Sequence, residues 1–69
     1  YENIEWKESF ESISEKYRLV MMLHYVEGFT VSEISQILEI SEGTVKSRLA
    51  RGRDNLTDIY DLRKRRANI

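Results

Sequence analysis

Cationic side chains recur at short intervals between residues 41 and 53, with small side chains between them. Arginine and lysine can donate hydrogen bonds to phosphate oxygens and to guanine O6 and N7, and a small residue lets a backbone approach a base edge closely. The pattern therefore predicts contact with a nucleic acid. The residues expected to make it are Ser41, Gly43, Thr44, Lys46, Ser47, Arg48, Ala50, Arg51 and Arg53.

These residues lie mostly on one side of a predicted helix. Advancing by about 100° per residue places four positions in a narrow arc that would face a core: Val45, Leu49, Gly52 and Leu56. The opposite face holds Gly43, Ser47, Ala50, Arg51 and Asp54. Lys46 and Arg53 flank that outer face on one side, and Thr44 and Arg48 flank it on the other. Small residues at the centre with cations at the rims suit a helix that enters the major groove.

Individual roles follow from side-chain chemistry. Arg51 and Lys46 can donate to guanine, and the Ala50 methyl can touch a thymine methyl. Ser47 and Thr44 can bond a base or a phosphate.

The remaining expected contacts go to phosphates. The N-terminus of the helix, with its free backbone amides near Gly43 and Thr44, is itself a site for an anion. Arg48, Arg53 and the basic run at residues 63–66 should contact the DNA backbone.

Charge is sorted along the chain. Residues 1–40 contain three Lys or Arg and eight Asp or Glu, a net charge of −5, whereas residues 41–69 contain eight and four, a net charge of +4. The whole chain therefore carries −1. A basic half suits a polyanionic partner, but charge runs on helices also occur as purely solvated faces, so the asymmetry alone leaves both interpretations open.

Four helical segments can position these residues, which predicts a small all-α domain covering residues 1–69. The first spans about residues 4–12 and the second about 15–27, with Gly28 as a C-terminal stop. The third and fourth helices, joined by a turn at residues 39–41, form a helix-turn-helix at residues 30–53. The fourth should continue to about Leu62, and the basic tail at 63–66 should fray.

Capping residues mark three of the helix starts. Ser14 is the predicted N-cap of the second helix and Ser41 that of the fourth, where Glu42 complements the helix dipole. Thr30 and Glu33 have the spacing of a capping box for the third helix.

The predicted core draws on every segment. On the second helix its members are Leu19, Val20, Leu23 and Val26. Met21, Met22 and Tyr25 make that helix apolar nearly all round, which indicates a central helix or one partly covered by a partner. On the third helix and the turn the buried residues should be Ile34, Ile37, Leu38 and Ile40. Trp6 and Phe10 should lay the first helix onto the bundle.

Composition argues against several function classes. A chain of 69 residues rarely encloses a catalytic cleft, and it shows no nucleophile–base pair, Gly-rich phosphate loop or paired acid motif. It lacks cysteine, which suits a reducing cytosol, and the single histidine, His24, is expected at a helix surface or an interface. No apolar run approaches the roughly 20 residues of a membrane span. We therefore expect a cytoplasmic, monomeric domain that is not an enzyme and uses no cofactor or metal.

Taken together, the motifs resemble region 4 of bacterial RNA polymerase sigma factors, most closely those of the extracytoplasmic-function group. The matching runs are residues 25–30, 33–34, 37–38, 40–49 and 51–53. The run at 41–48, Ser-Glu-Gly-Thr-Val-Lys-Ser-Arg, is fairly specific, whereas many helix-turn-helix proteins share the third-helix pattern. Because the chain opens at Tyr1, we expect it to be a fragment of a longer protein.

The resemblance implies a compact domain that reads the -35 promoter element with the fourth helix in the major groove. Lys46, Ser47, Ala50 and Arg51 would lie where the family contacts bases and nearby backbone, and Thr30 would lie where it contacts phosphate. The apolar surface of the earlier helices would bind the flap of the RNA polymerase beta subunit. An anti-sigma factor is a further partner that the resemblance implies, and the promoter-melting domain would lie upstream.

Four residues depart from the family pattern. Glu39 replaces a usual glycine in the turn, where a left-handed conformation would cost on the order of 1 kcal/mol. Ser35 stands where alanine is common, so its hydroxyl needs a local backbone acceptor. Gly52 replaces a common alanine, which weakens the helix by roughly 1 kcal/mol. Ala50 is smaller than the usual residue, which leaves the base preferred there open.

Two other functions fit parts of the pattern. Effector domains of LuxR-type response regulators share the third-helix pattern and a Thr-Val-Lys motif, but the following Ser-Arg-Leu-Ala-Arg-Gly-Arg favours a sigma factor. A helical interaction module could use the apolar second helix without binding DNA. Dependence of DNA affinity on Arg51 and Lys46 would separate that module from a DNA reader.

Overall fold

The computed structural model describes the backbone of residues 8–67 and the side chains of residues 8–58. Within that part of the chain every regular element is a helix. Residues 8–11 form α1, followed by α2 at Glu15–Met21, α3 at Val31–Leu38 and α4 at Glu42–Ala67. The predicted start of the first helix and the position of Trp6 lie outside the described residues. The all-α architecture with a helix-turn-helix is confirmed.

The corner between α1 and α2 is held differently from the prediction. Ser14 occupies the N-cap position of α2, as predicted, but its hydroxyl makes no capping hydrogen bond. Its backbone carbonyl accepts from the amides of Tyr17 and Arg18, at 3.1 and 3.0 Å. The Arg18 guanidinium donates to the carbonyl oxygen of Glu11 at 3.0 Å. The cation of α2 therefore ties this helix to the end of α1.

The second predicted helix has the expected extent but not the expected geometry. After Met21 it continues as a π-helix at Met22–Val26, in which the Glu27 amide donates to the Met22 carbonyl at 3.0 Å. Gly28 then ends it with a φ of 82°, as predicted. Because a π turn takes more residues than an α turn, side chains after Met21 rotate away from positions predicted at 100° per residue.

The core is small and lies where α2, α3 and α4 meet. Its buried apolar members are Ile13, Val20, Met21, Ile34, Val45 and Leu49. Partly buried side chains pack around it from every element, among them Phe10, Leu38, Ile40 and Leu56. The predicted core face of α4 is confirmed, since Gly52 is buried as well.

Three core predictions were wrong. Leu19 is 44% exposed, Val26 is 61% exposed and Ile37 is 51% exposed. The buried stripe of α2 is centred on Val20 and Met21 instead, and α3 turns only a narrow stripe through Ile34 towards α4. Apolar character alone did not show which side of a nearly all-apolar helix would be covered.

Local hydrogen bonds fix both ends of α3. The Thr30 hydroxyl accepts from the Glu33 amide at 3.1 Å, and the Glu33 carboxylate accepts from the Thr30 amide at 2.9 Å, which confirms the capping box. At the other end Glu39 is left-handed, with φ 56° and ψ 45°. The Ser35 hydroxyl donates to the Ile40 carbonyl at 2.6 Å, which supplies the local acceptor that this serine needs.

The start of α4 is capped as predicted. The Ser41 hydroxyl accepts from the Thr44 amide at 3.1 Å and lies 2.9 Å from the Thr44 hydroxyl. The helix continues to Ala67, beyond the predicted end near Leu62, so the backbone of the basic run 63–66 is helical. Within the described residues, none of the helices is both long and apolar enough to cross a membrane.

Gly52 explains how closely α2 can approach α4. A Cβ added there would lie 2.5 Å from Met21 Sδ, 3.1 Å from Met21 Cγ and 3.5 Å from Tyr17 Cβ. Such a Cβ could not be accommodated without a shift of Met21. Glycine lowers the helix propensity of α4 at this position, but its lack of a side chain allows α2 to pack closely against α4.

Candidate nucleic-acid interface

The first three turns of α4 present the predicted contact residues at the surface. Ser41, Gly43, Lys46, Ser47 and Arg51 are exposed. Thr44, Arg48 and Ala50 are half-buried, with their remaining surface open to solvent. The residues that the helical wheel assigned to the core and to the outer face are thus separated in the structure, and the outer face is accessible.

The cations on this surface are not neutralised by the protein. Within the part of the chain that the structure describes, Lys46, Arg48 and Arg51 form no hydrogen bond or ion pair. Guanidinium and ammonium groups left without an internal partner keep their full charge and all of their donors for an external anion. The arrangement can therefore bind phosphate oxygens and base-edge acceptors.

An open groove of about 490 Å³ runs between the start of α4 and the start of α2. The part on the turn and on α4 is formed by Ser41, Gly43, Thr44, Ser47, Arg48 and Arg51. Lys16 and Tyr17 form the α2 wall. Sequence reasoning missed both of these residues, because Lys16 lies in the acidic half of the chain and only the tertiary fold brings it beside α4.

Arg53 is placed apart from the other cations. Its guanidinium donates to the Tyr25 hydroxyl at 3.0 Å, across 28 positions of sequence. It also borders a pocket whose other walls are apolar or aromatic: Phe10, Met21, Tyr25, Val26 and Leu56. Lys46 and Arg53 were predicted to flank the same side of the helix. Of these two, only Arg53 forms a hydrogen bond with another residue that the structure describes.

Thr30 and His24 lie towards the start of α3. Thr30 is exposed, and because its hydroxyl accepts from the Glu33 amide, the hydroxyl proton remains available to an external acceptor. His24 Nδ1 lies 2.8 Å from the Phe29 carbonyl, which holds the imidazole against the loop between the π-helix and α3. The hydrogen bond accounts for this half-buried histidine as a structural residue.

Comparison with known proteins gives the family. The sequence model of the family described as Sigma-70, region 4 matches residues 5–56, three quarters of the chain. The chain belongs to the sigma-70 region 4 family. The match includes α1, α2, α3 and the part of α4 that faces the bundle.

A curated relative places this region 4 domain in the extracytoplasmic-function group. The chain is 46% identical over 44 residues to the ECF RNA polymerase sigma factor SigW of Bacillus subtilis (strain 168). These 44 residues are 64% of the chain. The matched part spans 24% of the length of that relative. No solved structure shows a significant match.

Family membership supports a general role in promoter recognition. Region 4 of sigma factors is a helix-turn-helix DNA-binding domain of transcription initiation and not an enzyme family. The LuxR-type alternative is replaced by this assignment. The positions of Lys46, Ser47, Arg48 and Arg51 on an accessible, uncompensated face agree with a DNA-binding family.

Proposed function

We propose that this region 4 domain recognises the -35 promoter element with the start of α4 in the major groove. The observation that carries the proposal is the outer face of α4, where Lys46 and Arg51 are exposed beside Ser47 without an intramolecular partner among the described residues. Two cations that flank a small polar residue can donate to guanine acceptors while the helix approaches the base edges closely.

The remaining predicted contacts position the helix in the groove. Arg48 and the amides at the start of α4, near Gly43, bind the backbone of one strand. Thr30 donates its free hydroxyl proton to a phosphate where α3 crosses the backbone. The Ala50 methyl is half-buried and touches a thymine methyl if the site carries one at that position.

The proposal includes docking on RNA polymerase core through the beta-subunit flap. Its support is the family assignment together with apolar side chains that α2, the π-helix and α3 leave exposed: Leu19, Met22, Tyr25, Val26 and Ile37. These side chains expose apolar surface to water, and a partner that covers them would bury that surface. Docking would raise the effective concentration of the domain at the promoter, and an anti-sigma factor would compete for the same surface.

The DNA proposal is tested by titrating the 69-residue chain into a labelled duplex library at low salt. Arg51→Ala and Lys46→Ala are compared with Arg18→Gln, which removes one positive charge from α2 outside the groove. The melting temperature of Arg18→Gln is measured as well, because Arg18 also bonds the Glu11 carbonyl at the end of α1. We expect selective binding in the parent chain and in Arg18→Gln, and loss of selectivity in the other two variants. Binding to all duplexes that survives both α4 changes would contradict base readout and favour the helical interaction module.

The docking proposal is tested with Val26→Ser in a binding assay with RNA polymerase core. Val26 is the most exposed of the large apolar side chains, so its replacement should leave the fold intact. We expect binding to core to weaken about tenfold, because a covered valine contributes about 1.5 kcal/mol. DNA affinity should not change. Core binding equal to that of the parent chain would place the docking surface elsewhere.

A further inference from the structure

The outer face of α4 contains a carboxylate that the proposed readout of bases does not use. Asp54 lies on this face one turn after Arg51, and it is exposed. We propose that Asp54, together with Asp58, ends the DNA-contacting part of α4 and raises selectivity by repelling phosphates that approach the rest of the helix. The inference rests on the DNA-binding function proposed above and names the residues that limit it.

The charge of the outer face changes sign within one helical turn. Asp54 follows Arg51 by three residues, which is about 4.5 Å along the helix axis. Asp58 follows Asp54 by four residues and is also exposed, so the two aspartates lie on the same face. The half of the face that is proposed to read bases therefore borders directly on an acidic half.

The residues around the two carboxylates do not neutralise them. Residues three and four positions away on a helix are neighbours, and for Asp54 these are Ala50, Arg51, Thr57 and Asp58. Among the residues that the structure describes, neither aspartate forms a hydrogen bond or an ion pair. Two like charges at a spacing of four residues destabilise a helix. The stability of α4 therefore does not account for the pair.

The length of α4 shows what these charges would prevent. The helix runs without a break over Glu42–Ala67, which is 26 residues or about 39 Å. Its sequence carries cations within 46–53 and again within 63–66. A helix with cations along its whole length could lie against the DNA backbone in many registers, independent of base sequence. Carboxylates between the two basic segments oppose that arrangement, because they would lie against phosphates.

The selective complex meets less of this repulsion. In that complex the start of α4 lies in the major groove, and the cations beside Ser47 contact bases and groove walls. Because the groove curves around the duplex and α4 is straight, the later turns of the helix leave the groove. Repulsion by Asp54 and Asp58 is then smaller than in a complex with α4 along the backbone. The two aspartates would therefore weaken unselective binding more than selective binding.

The test compares the parent chain with Asp54→Asn, Asp58→Asn and the double variant. Each is titrated at low salt with the duplex that the parent chain prefers and with a duplex of unrelated sequence. Each single change should tighten binding to the unrelated duplex about threefold, as for the loss of repulsion between two unit charges about 7 Å apart in water. Affinity for the preferred duplex should change less, so the ratio of the two affinities should fall, and it should fall furthest in the double variant.

Two controls separate the local charge from the net charge and from the shape of the side chain. Asp54→Glu keeps the carboxylate and should retain the parent ratio. Glu11→Gln removes one negative charge from an exposed position on α1, and it should leave the ratio unchanged as well. Melting temperatures of all variants show that each is folded at the temperature of the titration.

Three outcomes would overturn the inference. An unchanged ratio in the double variant, or an equal fall in Glu11→Gln, would do so while leaving selective binding through Lys46 and Arg51 intact. Weaker binding of Asp54→Asn to the preferred duplex would also do so, because the Asp54 carboxylate would then accept a hydrogen bond from a base. A parent chain that binds all duplexes alike would remove the function proposed above and this inference with it.

Discussion

The two sides of α4 use their cations in different ways. On the side that faces the start of α2, Arg48 and Arg51 border a polar groove and have no described internal partner. On the other side, Arg53 donates to the Tyr25 hydroxyl beside an apolar pocket. Lys46 was placed on the same side of the helical wheel as Arg53 and yet has no described internal partner, so a cation's angle on the wheel does not determine its role. What lies opposite the side chain in the folded protein decides whether its charge is available to DNA.

The same comparison suggests a division of labour. The groove side offers charge and hydroxyl groups, which suit a nucleic acid. The Tyr25 side includes the exposed Val26 on the wall of its apolar pocket, which suits a protein partner. Because the two surfaces lie on different sides of one helix, the proposed contacts with DNA and with polymerase would not exclude each other.

The largest expected effect separates the two arginines. Arg51→Ala should weaken binding to the preferred duplex by about 1–3 kcal/mol, because it removes donors proposed to bind a base. Arg53→Ala should weaken it by less than about 0.5 kcal/mol, since its guanidinium is engaged by Tyr25. Fluorescence anisotropy at constant salt measures both. Equal losses in the two variants would break the proposed distinction between the two sides.

Features set by neighbouring residues could be predicted from the sequence. The capping box of Thr30 and Glu33, the cap at Ser41 and the stop at Gly28 each depend on a few positions. The core face of α4 was also predictable, because α4 keeps the regular period of an α-helix through Val45 and Leu49. The left-handed conformation of Glu39 was one of two possibilities raised by the resemblance, because the family usually has glycine at that position.

Features that depend on tertiary contacts were out of reach. The π-helix at Met22–Val26 shifts the period of an apolar segment, so the exposure of Val26 contradicts the wheel. The groove that Lys16 lines is completed by α4, and the partner of Arg53 is Tyr25 of the π-helix, so neither arrangement left a local signal. The sequence could therefore predict the outer face of α4 but not the helix that shares its groove.

A smaller effect is expected at Gly52, which lies between the two sides and allows α2 to approach. Gly52→Ala should lower the free energy of unfolding by about 1 kcal/mol, because overpacking against Met21 outweighs the gain in helix propensity. Gly43→Ala is the matched control, since its nearest neighbour would be the Ser41 hydroxyl oxygen at 3.9 Å. Urea unfolding followed by circular dichroism measures both. Equal stabilisation by the two changes would mean that Met21 moves aside at no cost.

The smallest change is expected at Glu39. It tests whether stability can change while DNA binding by α4 stays the same. Glu39 is exposed and has φ 56°, a conformation that costs a residue with a Cβ about 1 kcal/mol. Glu39→Gly removes that cost but adds backbone entropy to the unfolded chain, so we expect a net gain of about 0.5 kcal/mol. Glu39→Gln removes the same charge without relieving the backbone, and its unfolding midpoint should stay near that of the parent chain.

Both Glu39 variants should bind DNA with equal affinity, because neither alters the groove or the Tyr25 side. Tighter binding by the glycine variant alone would show that strain in the turn limits how α4 is held. The loss in Arg51→Ala would then have to be measured again in the glycine background. A loss that persists there at the same size would belong to the contact itself, because a change in the turn that repositions α4 would alter it.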